Sequence, residues 1–456
     1  MASIKINQMF FVARFAEEHL VIHEPGEHEF YVYDPECGIW TRSTSDSIKA
    51  TFSEDWQRYA DEIGKPVLIP LRTNGLLESL TSLLRGHVEK GDAFPRLERV
   101  IHLANGMLHL DDGPELHPFS PDYYSRNACP IPWDTEAECP RFMSELLGAA
   151  LEPEDISLLQ RWCGALLLGG NQAQKIMLFT GTPGGGKSTL VEIIESIIGP
   201  TNVCQLRTAH LNERFEISRY LGKTMLTGED VPGNFLQTEG AYVLKNLVGN
   251  DLLSAEKKGC NAEFQLRGDF GVAVTCNSRL RIKFDGDVGA WRRRLLNIHY
   301  EKPKPPECIL DFGEQLLKEE GKGILRWMVE GAIQHLRECD EVGGYRLTQA
   351  QVDRVEQLLA ESDSIRKFVT ERIQFSRGSD LSTAEIIEAY FDYCSERGWV
   401  AFPTKTVERN LPDIMLENFR SAVGTNVMRD GKRVRGYPNV ALVGASADDR
   451  PDFELH

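Results

Sequence analysis

The chain has 456 residues, of which 41% are hydrophobic and 26% are charged. This balance is typical of globular proteins, and it excludes a mostly disordered, collagenous or membrane-spanning chain. The formal net charge of −17 argues against a broadly basic surface that wraps nucleic acid, but it leaves room for a local basic module or channel.

Residues 1–140 predict an N-terminal domain of mixed α+β structure. Residues 30–35 and 37–40 have the pattern of two strands joined by a turn, and a helical stretch follows at 44–63. Residues 100–112 carry Asn105-Gly106 between two apolar runs, which predicts a β-hairpin.

Residues 141–300 predict an α/β core. Helical patterns over 141–151 and 153–168 precede buried strands at 175–180, 223–227 and 271–276, and a further helix is predicted over 188–198. Strands that alternate with helices favour a parallel sheet with helical crossovers.

Residues 301–345 predict a linker and a helical segment, and residues 346–456 a domain of their own. The latter contains two amphipathic helices, 383–397 and 405–417, although Pro412 is expected to kink or split the second. Residues 423–443 predict a hairpin with Asp430-Gly431 at a turn. Two helices followed by a hairpin suggest a winged-helix-like domain.

A glycine-rich loop joins the 175–180 strand to the 188–198 helix and fits the phosphate-loop pattern G-x-x-x-x-G-K-[ST]. Such a loop directs backbone N–H groups at phosphates, its lysine contacts the β- and γ-phosphates, and its serine ligates Mg²⁺. The strand before it and the helix after it favour an ATP–Mg²⁺ site over a structural glycine turn. The nucleotide-binding residues are Gly181, Thr182, Pro183, Gly184, Gly185, Gly186, Lys187, Ser188 and Thr189.

Polar residues follow the next two core strands. Glu229 and Asp230 end the first, and Asn277 ends the second. We assign Glu229 as the base that activates water, Asp230 as the metal-side carboxylate and Asn277 as the group that senses the γ-phosphate. The residues alone do not separate the roles of Glu229 and Asp230. The alternative for these two carboxylates is a solvated acidic turn, and the alternative for Asn277 is an asparagine that caps a turn.

Three adjacent arginines lie at 292–294. Arg292 or Arg293 is a candidate to reach the nucleotide of a neighbouring subunit and to stabilise charge in the transition state. A solvated basic surface is the alternative.

Taken in order, the segments GTPGGGKST, GED, LKNLVGNDLLSAEKKG, VTCN and DGDVGAWRRRL resemble the superfamily 3 helicases of phages, plasmids and large DNA viruses. The resemblance implies an AAA+-like ATPase core that assembles as a homo-hexameric ring on DNA. It also implies that 245–259 contributes a hairpin whose tip, with Lys257 and Lys258, contacts single-stranded DNA in the central channel. Without the resemblance, a solvated loop would be the simpler interpretation of these lysines.

A local excess of basic residues marks the C-terminal domain: seven basic and four acidic residues lie between 405 and 435. On the second helix and around the hairpin they would face duplex DNA, as in winged-helix recognition. The DNA-binding candidates there are Lys405, Arg409, Lys432, Arg433 and Arg435.

These observations predict an ATP-dependent, ring-forming DNA helicase or replication initiator of a mobile element. The alternative is a DNA-bound AAA+ switch that does not unwind; a metabolic kinase is a weaker third option. Many relatives carry a primase domain before the helicase half, but residues 1–90 show no D-x-D or similar carboxylate pair in a strand, so primase activity is not carried over. A separate primase or polymerase is a candidate partner, and the sequence leaves open whether one exists. Ten cysteines without zinc-type spacing, and no membrane segment, predict a cytoplasmic protein of a bacterium or virus-infected cell.

Overall fold

The computed structural model describes residues 5–181, 183–238, 240–256, 263–277, 280–282, 288–302 and 309–443. The chain divides into two units. The larger comprises Met1–Gly233, Glu239–Arg279 and Arg293–Gln351, and the smaller comprises Asn234–Thr238, Leu280–Arg292 and Val352–His456. The predicted boundaries at 140, 300 and 345 stay a prediction.

The larger unit opens with a helical and antiparallel β segment. Its elements are α1 (Gln8–His19), β1 (Val21–Glu24), β2 (Glu29–Asp34), β3 (Ile39–Ser43), α2 (Ser45–Glu62) and α3 (Asn74–His87). Strands β1, β2 and β3 pair in that order, and the rings of Phe15 and Phe52 stack 4.0 Å apart between α1 and α2. The strand–turn–strand and the helix at 44–63 are confirmed, whereas α1 and α3 were not predicted.

A second antiparallel sheet follows and leads into a helical stretch. The elements are β4 (Val100–Leu103), β5 (Gly106–His109), β6 (Glu115–His117), a π-helical turn at Phe142–Leu147, α4 (Gly148–Ala150) and α5 (Pro153–Leu167). The β4–β5 pair is the predicted hairpin, with Leu103 opposite Gly106.

The centre of the larger unit is a five-stranded parallel sheet. The strands and helices of this segment are β7 (Ile176–Gly181), α6 (Lys187–Ile198), β8 (Val203–Gln205), β9 (Met225–Gly228), α7 (Gly240–Val248), β10 (Asp251–Glu256), β11 (Glu263–Gly268), β12 (Gly271–Cys276) and β13 (Leu295–Tyr300). Helix α8 (Val288–Arg294), which begins in the smaller unit, directly precedes β13. The strand order is β13-β7-β12-β9-β8, and every neighbouring pair is parallel. The predicted α/β class and parallel sheet are confirmed.

Burial explains the composition of this sheet. All of β9 and β12 is buried, and β7 is buried up to its last residue, as expected for parallel strands covered on both faces. Helix α9 (Phe312–Val342) completes the core, and its Trp327 packs edge-on against Phe142. In parallel strands the carboxyl ends share one edge, so the residues after β7, β9 and β12 come together.

The smaller unit has its own core. Its elements are α10 (Gln349–Ser362), which begins in the larger unit, α11 (Ser364–Arg372), β14 (Ile373–Ser382), α12 (Thr383–Glu396), α13 (Thr404–Phe419), β15 (Gly424–Arg429) and β16 (Lys432–Leu442). Strand β16 pairs with both β14 and β15, and the predicted β15–β16 hairpin turns at Asp430 and Gly431, which both have positive φ. The winged-helix assignment stays a prediction.

Helix α13 is not split at Pro412 and continues to Phe419. Leu411, Ile414 and Met415 are buried around the proline, and their packing offsets the loss of its N–H donor. Among the described residues, no helix has both the length and the apolar composition needed to cross a membrane.

Candidate nucleotide site

The glycine-rich loop lies where the sequence predicts it, between β7 and the twelve-residue α6. Gly181 has a φ of +118°, and a Cβ built there would lie 2.4 Å from the carbonyl oxygen of Tyr300 on β13. Gly186, directly before α6, also has a positive φ of +90°. No other residue fits at Gly181, and the loop therefore turns sharply onto the amino end of α6, where N–H groups and the helix dipole favour an anion.

Lys187 is the first residue of α6 and its side chain is enclosed at the loop. The residue is 5% exposed, and its Nζ donates a hydrogen bond to the carbonyl oxygen of Gly181 at 3.0 Å. Burial lowers the pKa of Lys187, and the negative charge of Asp230 opposes that shift. The ammonium group is therefore held at the loop, with a carboxylate close enough to influence it.

The remaining loop residues differ in exposure. Pro183, Gly184 and Ser188 are exposed, whereas Gly185 and Thr189 are half-buried. Thr182 lies outside the described residues. Ser188 therefore lies at the loop surface.

Asp230 and Asn277 are brought together at the same edge of the sheet. The Nδ2 group of Asn277 donates a hydrogen bond to Oδ1 of Asp230. Asp230 has a φ of +45°, and its backbone N–H donates to Oγ1 of Thr275 at 3.0 Å. The next N–H, of Val231, donates to the Thr275 carbonyl oxygen at 3.1 Å. Thr275 on β12 thus fixes the turn that carries Asp230.

Glu229 has different surroundings from its neighbour. Its side chain lines a cavity of about 350 Å³ together with Gln205, Thr227 and Glu195. Partial burial, followed by the negative charges of Glu195, Glu192 and Asp230, raises the pKa of Glu229. The two adjacent carboxylates, which the sequence could not distinguish, therefore face different groups.

Arg293 lies at the opposite edge of the sheet. Strand β13 pairs Leu295 with Ile176 and Tyr300 with Gly181, so the residues before Leu295 lie at the amino end of β7. The five residue steps from Ile176 to Gly181 span about 17 Å, at roughly 3.3 Å per residue. The backbone of Arg293 is therefore not brought to the phosphate loop of its own chain.

Arg292 and Arg293 also differ from one another. The Nη2 group of Arg292 donates to Oε2 of Glu356 at 2.9 Å, and its Nε also contacts that carboxylate. The side chain of Arg293 is exposed, and its carbonyl oxygen accepts a hydrogen bond from Nζ of Lys175 at 2.6 Å.

The DNA-contact candidates are only partly described. Lys257 and Lys258 lie outside the described residues, but they connect β10 to β11, which are antiparallel with Glu256 opposite Glu263. In the smaller unit, exposed basic residues lie near the start of α13 and next to the β15–β16 turn. They are Lys405, Arg409, Lys432, Arg433 and Arg435.

Sequence reasoning missed Thr275, Lys175 and Gln174. Nε2 of Gln174 donates to the carbonyl oxygen of Gly249 at 3.0 Å, next to the base of β10. Thr275 is inside a buried strand and resembles a core residue, so no pattern marks it. For Gln174 and Lys175, the sequence offers one signal, which is that two polar residues stand directly before an apolar strand.

Two family models match parts of the chain. The model described as "D5 N terminal like" matches residues 8–148, and a family of unknown function, DUF5906, matches residues 179–294. The "Putative helicase 022R" of Frog virus 3 (isolate Goorha) is 29% identical over 143 residues. That segment is 29% of this chain and 14% of the viral protein. The DUF5906 match includes every candidate residue of the nucleotide site.

Solved structures of the NrS-1 C-terminal region are also similar to this chain. One apo structure aligns with a TM-score of 0.49 and 12% identity, and covers 95% of this chain and 99% of that chain. A second, described as the A form, aligns with a TM-score of 0.49 and 11% identity, and covers 95% of this chain and all of that chain.

Proposed function

We propose that this chain is the ATPase of a primase–helicase type replication protein of viral or phage origin, and that it acts as a ring-forming, ATP-dependent DNA helicase. The observation that carries the proposal is the convergence of Lys187, Asp230 and Asn277 at the carboxyl edge of a parallel sheet. The name of the viral relative and the D5-type match support the same function.

The residues of the loop fit a nucleoside triphosphate with Mg²⁺. The enclosed ammonium of Lys187 and the glycines around it suit phosphate oxygens, and Ser188 with Asp230 suits a hard divalent cation. Bound ATP supplies the phosphoanhydride bond, and Mg²⁺ supplies positive charge on its oxygens. Asn277 holds Asp230 in place and is positioned to contact the γ-phosphate or the attacking water.

Glu229 is the proposed base for that water. A carboxylate takes up a proton more readily when its pKa lies closer to the working pH, and the pKa of Glu229 is raised by burial and by nearby carboxylates. Water attacks the γ-phosphorus, its proton moves to Glu229, and the bond to the β-phosphate oxygen breaks to release ADP and phosphate. Arg293 supplies positive charge from the neighbouring subunit.

DNA would be held by two groups of basic residues. Lys257 and Lys258 would contact a single strand in the ring channel, and the exposed basic residues of α13 and β16 would contact duplex phosphates. We propose these two DNA contacts together with an AAA+ core and a hexameric ring.

Unwinding of a forked DNA duplex tests the proposal directly. We expect wild-type protein to separate the strands only with ATP and Mg²⁺. Lys187→Ala should lose ATPase activity by about 10²-fold or more, because a preorganised charge on the phosphates is removed. Lys257→Ala/Lys258→Ala should retain basal ATPase activity but lose unwinding, because the strand is no longer gripped.

Three outcomes of these assays would contradict parts of the proposal. ATP hydrolysis without unwinding by wild-type protein would favour the AAA+ switch over the helicase. Normal turnover by a folded Lys187→Ala protein would show that the loop is not the catalytic site. Wild-type unwinding by the double lysine variant would remove the hairpin from the mechanism.

A further inference from the structure

A second polar cavity lies in the larger unit, away from the phosphate loop. Its volume is about 200 Å³, and it is enclosed by residues from 94–102 and 124–129, by the end of α5 and by Asp269. Thr224, which directly precedes β9, also lines it. The cavity therefore lies at the amino edge of the sheet, whereas the phosphate loop lies at the carboxyl edge.

Arg96 is the unusual residue of this cavity. Its Nε atom is fully enclosed and has no hydrogen-bond partner. In the part of the chain that the structure describes, Arg96 forms no ion pair with a carboxylate. Burial lowers the pKa of Arg96, and the negative charge of Asp269 opposes that shift. Arg96 as a whole is half-buried, and a buried N–H group such as its Nε without an acceptor is unfavourable unless a ligand supplies one.

Asp269 faces Arg96 across a gap that a glycine keeps open. Gly170 has a φ of +82°, and a Cβ built there would lie 2.9 Å from Oδ2 of Asp269 and 3.0 Å from Nη1 of Arg96. A side chain at this position would fill the space in front of both charged groups. Burial raises the pKa of Asp269, so this carboxyl group is also incompletely solvated.

The other charged side chains of the cavity are basic and already engaged. Nη1 of Arg126 contacts Oε1 of Glu27 at 2.6 Å, and Nζ of Lys223 donates to the carbonyl oxygen of Thr201 at 2.5 Å. Among the charged side chains that line the cavity, three are positive and one, Asp269, is negative. This balance favours an anion, and Arg96 retains unused donors to bind it.

We propose that this cavity binds inorganic phosphate, with Arg96 donating to its charged oxygens and Asp269 accepting a hydrogen bond from its P–OH group. Phosphate at neutral pH carries both acceptor oxygens and a hydroxyl donor, and so it satisfies a guanidinium and a carboxylate at once. Sulfate has similar size and charge but carries no proton at neutral pH. Asp269 should therefore discriminate between the two ions.

Titration calorimetry on the full-length chain tests the proposal, with inorganic phosphate and sulfate as probes at matched ionic strength. All proteins carry Lys187→Ala, which removes phosphate binding at the loop. We expect the parent to bind phosphate about tenfold or more tightly than sulfate, the difference of one hydrogen bond to a charged group. Arg96→Met should lose phosphate binding.

Asp269→Asn provides the matched control, because its amide keeps the shape of the carboxylate and can donate to either ion. We expect this variant to bind sulfate at least as well as phosphate. Circular dichroism of each variant verifies folding. The proposal is wrong if the parent does not bind phosphate, if it binds sulfate equally well, or if Arg96→Met retains the parent's affinity. None of these outcomes bears on the helicase proposal.

Discussion

Glu229 and Asp230 are adjacent in the chain but have different partners. Asp230 accepts a hydrogen bond from Asn277 and influences Lys187, whereas Glu229 faces carboxylates on α6. Glu229→Gln should therefore retain ATP binding and lose hydrolysis by about 10²-fold or more, because an amide cannot accept the proton. Steady-state ATPase rates and equilibrium binding of labelled ATP measure the two effects.

Asp230→Asn is the matched variant for Glu229→Gln. It should weaken Mg²⁺-dependent nucleotide binding, because it removes the negative charge of the carboxylate proposed to hold the Mg²⁺ ion. If Glu229→Gln fails to bind nucleotide while Asp230→Asn binds normally and does not turn over, the two roles are reversed.

At the residue scale, the sequence predicts those candidate residues that are part of a recognised motif. Lys187 and the glycines follow from the spacing of the loop, and Asn277 from its position after a buried strand. Thr275 could not be found in this way, because a threonine inside a β-branched, buried strand has the pattern of a core residue. The separation of Glu229 from Asp230 depends on a positive φ at Asp230, which no sequence pattern specified.

At the scale of elements, the segment before β7 connects parts that the proposed mechanism requires to move together. Gln174 donates to Gly249 beside the base of β10, and Lys175 donates to the carbonyl oxygen of Arg293 at the end of α8. The same strand ends at the phosphate loop. Strand β7 and the two residues before it thus connect Gly249 beside β10, Arg293 and the phosphate loop.

Lys175 should act as a positioning residue for Arg293. Burial lowers the pKa of Lys175 to about 8, so its ammonium group loses its proton as the pH rises through that value. A charged donor forms the stronger hydrogen bond to a carbonyl oxygen. We therefore expect kcat of the assembled protein to fall above about pH 8 while KM for ATP stays unchanged.

The control for this prediction is a pair of variants. Lys175→Gln keeps a donor without charge and should remove the fall in kcat, whereas Lys175→Arg stays charged and should retain high kcat at alkaline pH. Identical pH profiles for wild type and Lys175→Gln would contradict the positioning role.

The elements themselves were largely predictable, because long periodic or buried runs identify them. Strands β7, β9 and β12 of the parallel sheet, helix α6 and the β15–β16 hairpin are examples. Strand β8 has three residues, too few for a pattern, and α3 was missed despite the capping residue Thr73. The split of α13 that Pro412 suggested does not occur, because packing of its neighbours outweighs the local cost of the proline.

At the scale of the whole molecule, the sheet separates Arg293 from the phosphate loop by about 17 Å along β7. In the proposed ring, Arg293 would therefore act on the nucleotide of a neighbouring subunit. Arg293→Ala should retain ATP binding and lose hydrolysis, and mixing it with Lys187→Ala protein should restore part of the activity at mixed interfaces. ATPase rates across mixing ratios measure this rescue.

Arg292→Ala is the comparison variant for the mixing experiment. Its guanidinium already contacts Glu356 on an exposed surface, so its loss should reduce activity far less than loss of Arg293. Absence of rescue at every ratio would place Arg293 outside the intersubunit site. A larger loss from Arg292→Ala would transfer the role to that residue.

The strand order has a further consequence for synthesis of the chain. Strand β7 is the first strand of the parallel sheet to leave the ribosome. Its two neighbours in the sheet, β12 and β13, lie far downstream, and their pairing with β7 starts at Val272 and Leu295. Its apolar residues thus have no neighbouring strand until almost the whole sheet has been translated. Non-local pairing of this kind slows folding and exposes aggregation-prone strands. Nascent chains that stall before residue 300 should consequently depend on chaperones, whereas the β1–β3 segment can pair as soon as it emerges.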